Sequence, residues 1–533
     1  MEEYVVTLKS GEDLEEFYND METPGGNLYI PDREVDVALR RPISRNTHYM
    51  LFPEEVETIK NDPRVWDVIS KKELDSQVRT PEYTQTGRFD KDTGITQLDK
   101  NWALLRCVNG EQILNWGDDG TSNQNETITV TSSGLNVDVV IMDGHIDPDH
   151  PEYAVNPDGT GGSRVVQYNW YQLTSLATGG SNGTYVYPSG DDLKNDEDNH
   201  GAHVAGTACG NTQGWAREAS IYNISPYGNN PNAEASTYPF DYVRVWHQNK
   251  PINPKTGLKN PTIVNMSFGS SNSVTRSSIS KITYRGTDYT SFTDEDLDSY
   301  GFALYTSTEV LFPASQYTGT TADIQDMISE GIIVVGSAGN TSYKITRSGD
   351  IDYNNSITYG INPTVRYYHR GDFRYGSDII CTGAIAAFTI DVKGYFSNTG
   401  SRIDVFAPGV HIISPVHNNV NSVDDERNTS YKLAKKYGTS MASPQVTGVL
   451  ACLLEQYPRF NQSQVINYLN KFSKYDQLYD TGGSYDDVYS LQGAPNRYLY
   501  FNKERLESGV TIPKSNFSFR QTSGSVWPRR KFI

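Results

Sequence analysis

From residue 106 to 503 the sequence predicts an α/β fold with a mainly parallel sheet, and over residues 1–75 a separate small α+β unit. Three observations carry this. Short, largely apolar runs, Val137–Met142, Ile263–Met266 and Ile332–Val335, read as strands buried on both faces. They alternate with longer runs at helical spacing, such as Val446, Val449, Leu450, Leu453 and Leu454, an order that builds parallel sheets. The first 75 residues follow a different order, βαββαβ, which is that of a ferredoxin-like sandwich.

In the first unit Tyr4–Leu8 is strand-like. Gly11–Met21 is an acidic helix with Leu14, Phe17 and Tyr18 at helical spacing. Val35–Leu39 and His48–Phe52 are strand-like, Pro53 opens a helix through Lys60, as Pro at a first turn does, and Val65–Ile69 is the last strand. Residues 76–105 are polar and rich in turn formers, so they read as an exposed linker. The main domain runs over 106–503, and 504–533 form a tail.

Composition bounds the function. The chain has 533 residues and a formal net charge of −19, which repels nucleic-acid phosphates and argues against such a partner. Hydrophobic content is low at 36% and Tyr is abundant, as long polar loops around a core would give. No stretch approaches the roughly 18–20 apolar residues of a membrane span. Met1–Val6 shows neither a basic n-region nor an apolar h-region, so no signal peptide is expected and a cytoplasmic or virion-associated location is favoured over classical secretion. The four cysteines, Cys107, Cys209, Cys381 and Cys452, are widely spaced, lack C-x-x-C spacing, and read as buried thiols. The tail differs from the rest: Lys514, Arg520, Arg529, Arg530 and Lys531 alternate with Phe517, Phe519, Trp527 and Phe532, a surface for a docking partner or simply a packed terminus.

The chemistry concentrates in a few segments. Gly438-Thr439-Ser440-Met441-Ala442-Ser443-Pro444 puts a serine on a glycine-led turn directly before an apolar helix. There its backbone N–H lies at a helix N-terminus, where negative charge is stabilised, so a tetrahedral oxyanion is favoured. A serine nucleophile needs a base, and the base needs an orienting carboxylate. His200-Gly201-Ala202-His203-Val204-Ala205-Gly206-Thr207 supplies a histidine, and Asp143 ends the apolar strand Val137–Met142, where open α/β sheets bind ligands. Ile332–Asn340 is a further apolar strand, ending in the turn signal Gly339-Asn340.

Together these segments resemble the motifs of subtilases, the subtilisin-like serine proteases, in the chain order Asp143, His200, Ser440. The resemblance covers most of residues 100–503 and implies a subtilisin-like three-layer fold and a serine endopeptidase acting on protein or peptide substrates. It implies that Ser440 is the nucleophile, His200 the general base, Asp143 its orienting carboxylate and Asn340 the oxyanion donor. Ser267-Phe268-Gly269 and Ser337-Ala338-Gly339 are implied as the two walls of the S1 pocket. One departure is Gly144-His145, where the family shows Ser/Thr-Gly; it adds a titratable group beside the triad. Trp102–Arg106, the short segment Gly206–Ile224 and Ala494–Leu499 resemble the proteinase K branch.

The run Phe52–Ile69 resembles the end of the inhibitory propeptides that precede many subtilases, which implies that the N-terminal unit acts as an intramolecular inhibitor and leaves by cleavage between Lys71 and Arg79. Glu152 stands where some relatives place a calcium-binding aspartate; one carboxylate does not make a site, so no cofactor is assigned and structural calcium stays open. Residues 271–320 and 341–377 exceed the family pattern and should border the cleft. Two other readings compete: a structural or interaction component, viral for instance, that processes only itself or a neighbour, and a catalytically dead peptide-binding module.

Overall fold

The computed structural model describes residues 1–501 apart from 31–34, 41–43, 72–82, 92–93, 97–98, 113–122, 182, 190–198, 227–237, 305–307, 314–317, 361–363, 377, 389, 418–420 and 484–486. The expected cleavage segment after Lys71 and the C-terminal tail lie outside the described residues. The chain divides into two compact units, Met1–Pro81 and Glu82–Ile533.

In the first unit, strands β1 (Glu2–Leu8), β2 (Asp36–Leu39), β3 (Asn46–Leu51) and β4 (Val65–Ser70) form one sheet in the order β2-β3-β1-β4. β1 runs antiparallel to both its neighbours. Helices α1 (Leu14–Glu22) and α2 (Pro53–Lys60) share its core: Phe17 and Met21 from one, Val56 and Ile59 from the other, pack with Val6, Leu8, Tyr49 and Val68. A 3₁₀ turn, Gly11–Asp13, precedes α1 and is capped by Ser10. At the start of α2 the Phe52 amide donates to Glu55 Oε2 at 2.8 Å, so a side chain satisfies the free donor there.

The second unit begins earlier than the sequence suggests. The linker expected over 76–105 does not extend that far, because Tyr83–Asp90 is a strand, β5, lying parallel to β6 (Asp99–Asn101) and antiparallel to β7 (Asn123–Val130). Polar residues conceal it: Thr84 and Thr86 face Thr129 and Thr127 across the ladder and touch them through their hydroxyls at 3.4 and 2.8 Å. Helix α3 (Trp102–Asn109) follows, buried from Trp102 to Val108.

The main sheet has nine strands. They are β8 (Asp138–Met142), β9 (Val165–Val166), β10 (Ser220–Ile224), β11 (Thr262–Met266), β12 (Ile333–Ser337), β13 (Ile380–Ile385), β14 (Val405–Pro408), β15 (Lys474–Tyr475) and β16 (Arg497–Tyr498). Their order is β15-β16-β14-β13-β12-β11-β8-β10-β9. Every neighbouring pair is parallel except β15 against β16. β8, β11 and β12 are buried at every position, which explains why their sequences are mostly apolar. After β8 the chain builds outward on one side through β9 and β10, then returns to the other side with β11. A crevice at such a reversal, at the carboxyl ends of the strands, is where ligands bind in α/β sheets.

The longer helices that follow are α4 (His200–Cys209), α5 (Tyr238–Asn249), α6 (Thr318–Ser329), α7 (Thr439–Gln456) and α8 (Gln462–Phe472). α7 is buried from Thr439 to Leu454 and packs on α4 and on β11 to β14. No described helix is long and apolar enough to cross a membrane.

The two stretches that exceed the family pattern combine. Ser271–Thr275, Ala303–Leu304 and Glu309–Pro313 form one small antiparallel sheet. Ile279–Tyr284 pairs with Thr287–Tyr289 and, across the gap in sequence, with Ser356–Tyr359. Ile282, Leu297, Phe302 and Phe312 from the first stretch and Tyr343, Ile357 and Tyr368 from the second make one apolar core, separate from that of the main sheet.

Glu152, on a turn after β8, is fully buried. Arg427, from the hairpin Ser422–Lys436, pairs with it, while Thr212 Oγ1 and the amides of Thr212 and Gln213 donate to the same carboxylate. Burial alone raises its pKa, but Arg427 and the Thr212 hydrogen bonds outweigh that and hold it at about 2. A carboxylate with a depressed folded pKa adds stability above its unfolded value, roughly 4.3, and that stability is lost as the pH falls towards 2. Arg427→Ala leaves the buried carboxylate without its cation and is expected to cost about 3–5 kcal/mol near neutral pH. The deficit relative to wild type should shrink below roughly pH 4, because Glu152 in the variant takes up a proton early. Urea denaturation at pH 7 and pH 3.5 checks this; an equal deficit at both would show that the ion pair is not its source.

Candidate active site

Each sequence-identified residue sits at the end of an element. Asp143 follows β8; its amide donates to the Ile224 carbonyl at 3.1 Å, which continues the pairing of β8 with β10 by one residue. The side chain is 2% exposed. Its Oδ1 accepts from the Gly144 amide at 2.7 Å and from His200 Nδ1 at 2.8 Å. An ionised carboxylate only accepts, so the Nδ1 proton is held between them and Nε2 is the ring nitrogen left to act as a base.

His200 opens α4. Gly201 follows because the helix lies on the turn after β8: a Cβ at Gly201 would stand 2.1 Å from the Gly144 carbonyl oxygen. Buried Asn223 holds the same turn, donating to the Ile141 and Gly144 carbonyls at 3.1 and 2.9 Å. Asn199 fixes the helix start by accepting from the His417 amide at 2.6 Å. His203, one turn into α4, is buried and bonds through Nε2 to the Ile412 carbonyl at 2.8 Å. Burial holds its pKa well below the ordinary histidine value, so it stays neutral. His145 is buried, and its carbonyl accepts from His417 Nε2 at 3.3 Å.

Ser440 lies in the first turn of α7, after Gly438 with φ of +148°. Its Oγ donates to the Ser267 carbonyl at 2.9 Å. Ser267 Oγ in turn lies 3.0 Å from the Ser440 carbonyl. That carbonyl needs an outside donor because Pro444, four residues on, has no N–H to offer it. Buried Asn265 completes the junction, accepting from Ser443 and Thr447 hydroxyls at 3.0 and 2.9 Å.

Asn340 is oriented by one residue. Its Oδ1 accepts from both the amide and the hydroxyl of Thr439, each at 2.8 Å. The carbonyl side of the amide is thus engaged and the Nδ2 donor turns away from it. A Cβ at Gly438 would stand 3.4 Å from Asn340 Nδ2 and 3.6 Å from the Ser440 amide nitrogen. The two donors therefore converge on space that glycine keeps open. The Ser440 N–H is also among the first amides of α7, which have no acceptor within the helix and carry the positive end of its dipole.

Beside Ser440 is a pocket of about 190 Å³ lined by both expected walls, Ser267-Phe268-Gly269 and Ser337-Ala338-Gly339, and by Asn340. Three further lining residues escape a reading by motif: Asp372, Arg374 and Tyr375. Arg374 is 1% exposed. It donates to Asp372 through Nε and through Nη2, to Ser337 Oγ at 3.2 Å and to the Tyr375 hydroxyl at 3.0 Å. The two charges neutralise each other in the pocket wall. Asn398 was likewise missed. Its Oδ1 accepts from the Thr341 and Tyr343 amides and its Nδ2 donates to the Ala338 carbonyl, which fixes the loop after Asn340. An Asn before Thr is too common in sequence to betray this.

Among the described residues no group of three or more His, Cys, Asp or Glu is placed to hold an ion. The Glu152 carboxylate is taken by Arg427, Thr212 and Gln213. All four cysteines are buried and free, and burial pushes the Cys209 and Cys381 thiols up to about 12, so they are poor nucleophiles.

Comparison with known proteins agrees with the motifs. Among curated proteins, a subtilase-type proteinase of Saccharomyces cerevisiae is 26% identical over 72% of this chain and 56% of its own length. A thermostable alkaline protease of Halalkalibacterium halodurans is 30% identical over 28% of this chain and 32% of its own. Subtilisin DY of Bacillus licheniformis is 32% identical over 27% of this chain and 39% of its own. The chain thus spans between a third and somewhat over half the length of these relatives. Among solved structures, a cold adapted subtilisin-like serine proteinase aligns with 76% of this chain and 98% of its own at 20% identity, with a TM-score of 0.44. The subtilase family as a whole matches residues 134–485, which is most of the second unit, and the chain therefore belongs to the subtilase family.

Proposed function

We propose that this chain is a serine endopeptidase that cleaves peptide bonds through an acyl-enzyme on Ser440. The observation that carries the reading is that Asn340 Nδ2 and the Ser440 amide both border the space left by Gly438, in a chain whose His200 is tied to a buried carboxylate. At rest the Ser440 hydroxyl is parked on the Ser267 carbonyl. Rotation about its Cα–Cβ bond frees Oγ to attack the substrate carbonyl carbon while His200 Nε2 takes the hydroxyl proton. Asp143 stays ionised and stabilises the imidazolium. The carbonyl oxygen, now an oxyanion, is held by the two converging donors, and His200 returns the proton to the leaving amine. Water then repeats the sequence on the acyl-enzyme. The substrate side chain next to the cut enters the pocket ended by Arg374 and Asp372.

The N-terminal unit is proposed as an intramolecular inhibitor. Its support is the propeptide-like run Phe52–Ile69 and a compact fold with a core of its own.

A fluorophosphonate probe should label the wild type at Ser440, and Ser440→Ala should lose both labelling and peptide hydrolysis while keeping its circular dichroism. Labelling at another residue would overturn the nucleophile assignment. Asn340→Ala should lower kcat by roughly 10²–10³ with KM little changed, because its amide acts in the transition state. A loss confined to KM would make Asn340 a turn residue only. Residues 1–75, expressed alone and added to a chain of residues 76–533, should inhibit hydrolysis at micromolar concentration. A truncated enzyme that folds and ignores the added unit would rule out the inhibitor role.

A further inference from the structure

A second cavity, of about 710 Å³, lies apart from Ser440 and shares only Tyr375 with the substrate pocket. Its size falls in the range of small-molecule sites, roughly 300–1,000 Å³. Three arginines line it, Arg347, Arg402 and Arg497, against two carboxylates, Asp378 and Asp404. This is a cationic concavity in a chain whose net charge is −19.

The arginines are anchored around one point. Asp404 accepts from Arg347 Nη2 at 2.5 Å and from Arg402 Nη1 at 2.9 Å, and its backbone carbonyl accepts from Arg497 Nη1 at 2.8 Å. The Asp404 side chain therefore takes two guanidinium groups and its carbonyl a third, and Arg497 Nη1 also donates to the Asn470 side-chain oxygen. Arg497 Nε is buried and has no hydrogen-bond partner among the described residues. A buried charged donor without an acceptor is costly. Beside it the Arg347 side chain is 36% exposed, so its guanidinium is open to an anion with several oxygens. The rest of the lining includes Tyr353, Ile403 and Ile466, which offer apolar contact to a ring.

We infer that this cavity binds a small organic phosphate: a phosphate group held by Arg497 and Arg347, with a planar body against the apolar wall. The inference does not depend on peptide hydrolysis, since none of these arginines lies in the catalytic machinery.

The test is isothermal titration calorimetry on the full-length chain carrying Ser440→Ala, so that the protein stays intact. The probes are adenosine monophosphate, adenosine and inorganic phosphate. The nucleotide should bind, adenosine should not, and phosphate alone should bind more weakly than the nucleotide. Raising the salt should weaken binding, as for any site built on ion pairing. Arg497→Lys, which keeps the charge but removes Nε, should weaken the nucleotide at least tenfold. Arg347→Ala should do the same, and because that side chain is 36% exposed it is the safer variant for folding. Thermal melts of each variant establish that it is folded. No binding of nucleotide or phosphate, adenosine binding as tightly as the nucleotide, or full affinity in both folded arginine variants would each overturn the inference.

Discussion

A helix buried along nearly its whole length imposes the strictest condition on this molecule. Helix α7 enters the core at Thr439 and stays buried to Leu454, so each polar group in its first turn needs a partner that is not water. The fold meets that need from the ends of the neighbouring strands. Asn340, after β12, accepts from Thr439; Ser267, after β11, stands against the carbonyl that Pro444 leaves without a donor; Asn265 takes the hydroxyls of Ser443 and Thr447. The donors left over, the Ser440 amide and Asn340 Nδ2, face the crevice. The candidate site is the remainder of a structural account that otherwise balances.

The same economy holds around Asp143 and His200. Asp143 extends β8, His200 opens α4, and the two elements approach closely enough that only glycine fits at residue 201. Asn223 pins the intervening turn from β10. A small disturbance in any of these strands would therefore reach the Asp143–His200 pair as a displacement and not merely as lost stability.

Much of this was legible in the sequence because burial on both faces leaves a direct signature. β8, β11 and β12 show as mostly apolar runs, and the residues that follow β11 and β12 line the pocket beside Ser440. In the first unit the six elements fall within a few residues of where period and turn chemistry place them. What was hidden had the opposite character. β5 is half polar because its threonines pair across an exposed ladder, so it reads as linker. Arg374 and Asp372 look like surface charge until the fold buries them together. The accessory core joins residues from two stretches, such as Phe302 and Tyr368, whose rings lie 4.2 Å apart; no local pattern announces such a partnership.

The way the ends of the second unit meet has a kinetic consequence. The Phe501 amide donates to the Cys107 carbonyl, and Asn101 bridges to Ile413. Asp391 pairs with Arg106, whose guanidinium rests 3.9 Å from the Tyr498 ring centre. The contacts that fasten helix α3 therefore close over nearly four hundred intervening residues. Loop closure over such distances is paid before the contacts reward it, and chains dominated by non-local parallel pairing fold slowly. Through that interval the apolar faces of β8, β11 and β12 stand open, the condition under which partly folded chains associate with one another. For a molecule built this way, the time needed to close is as much a property of the topology as the site it encloses.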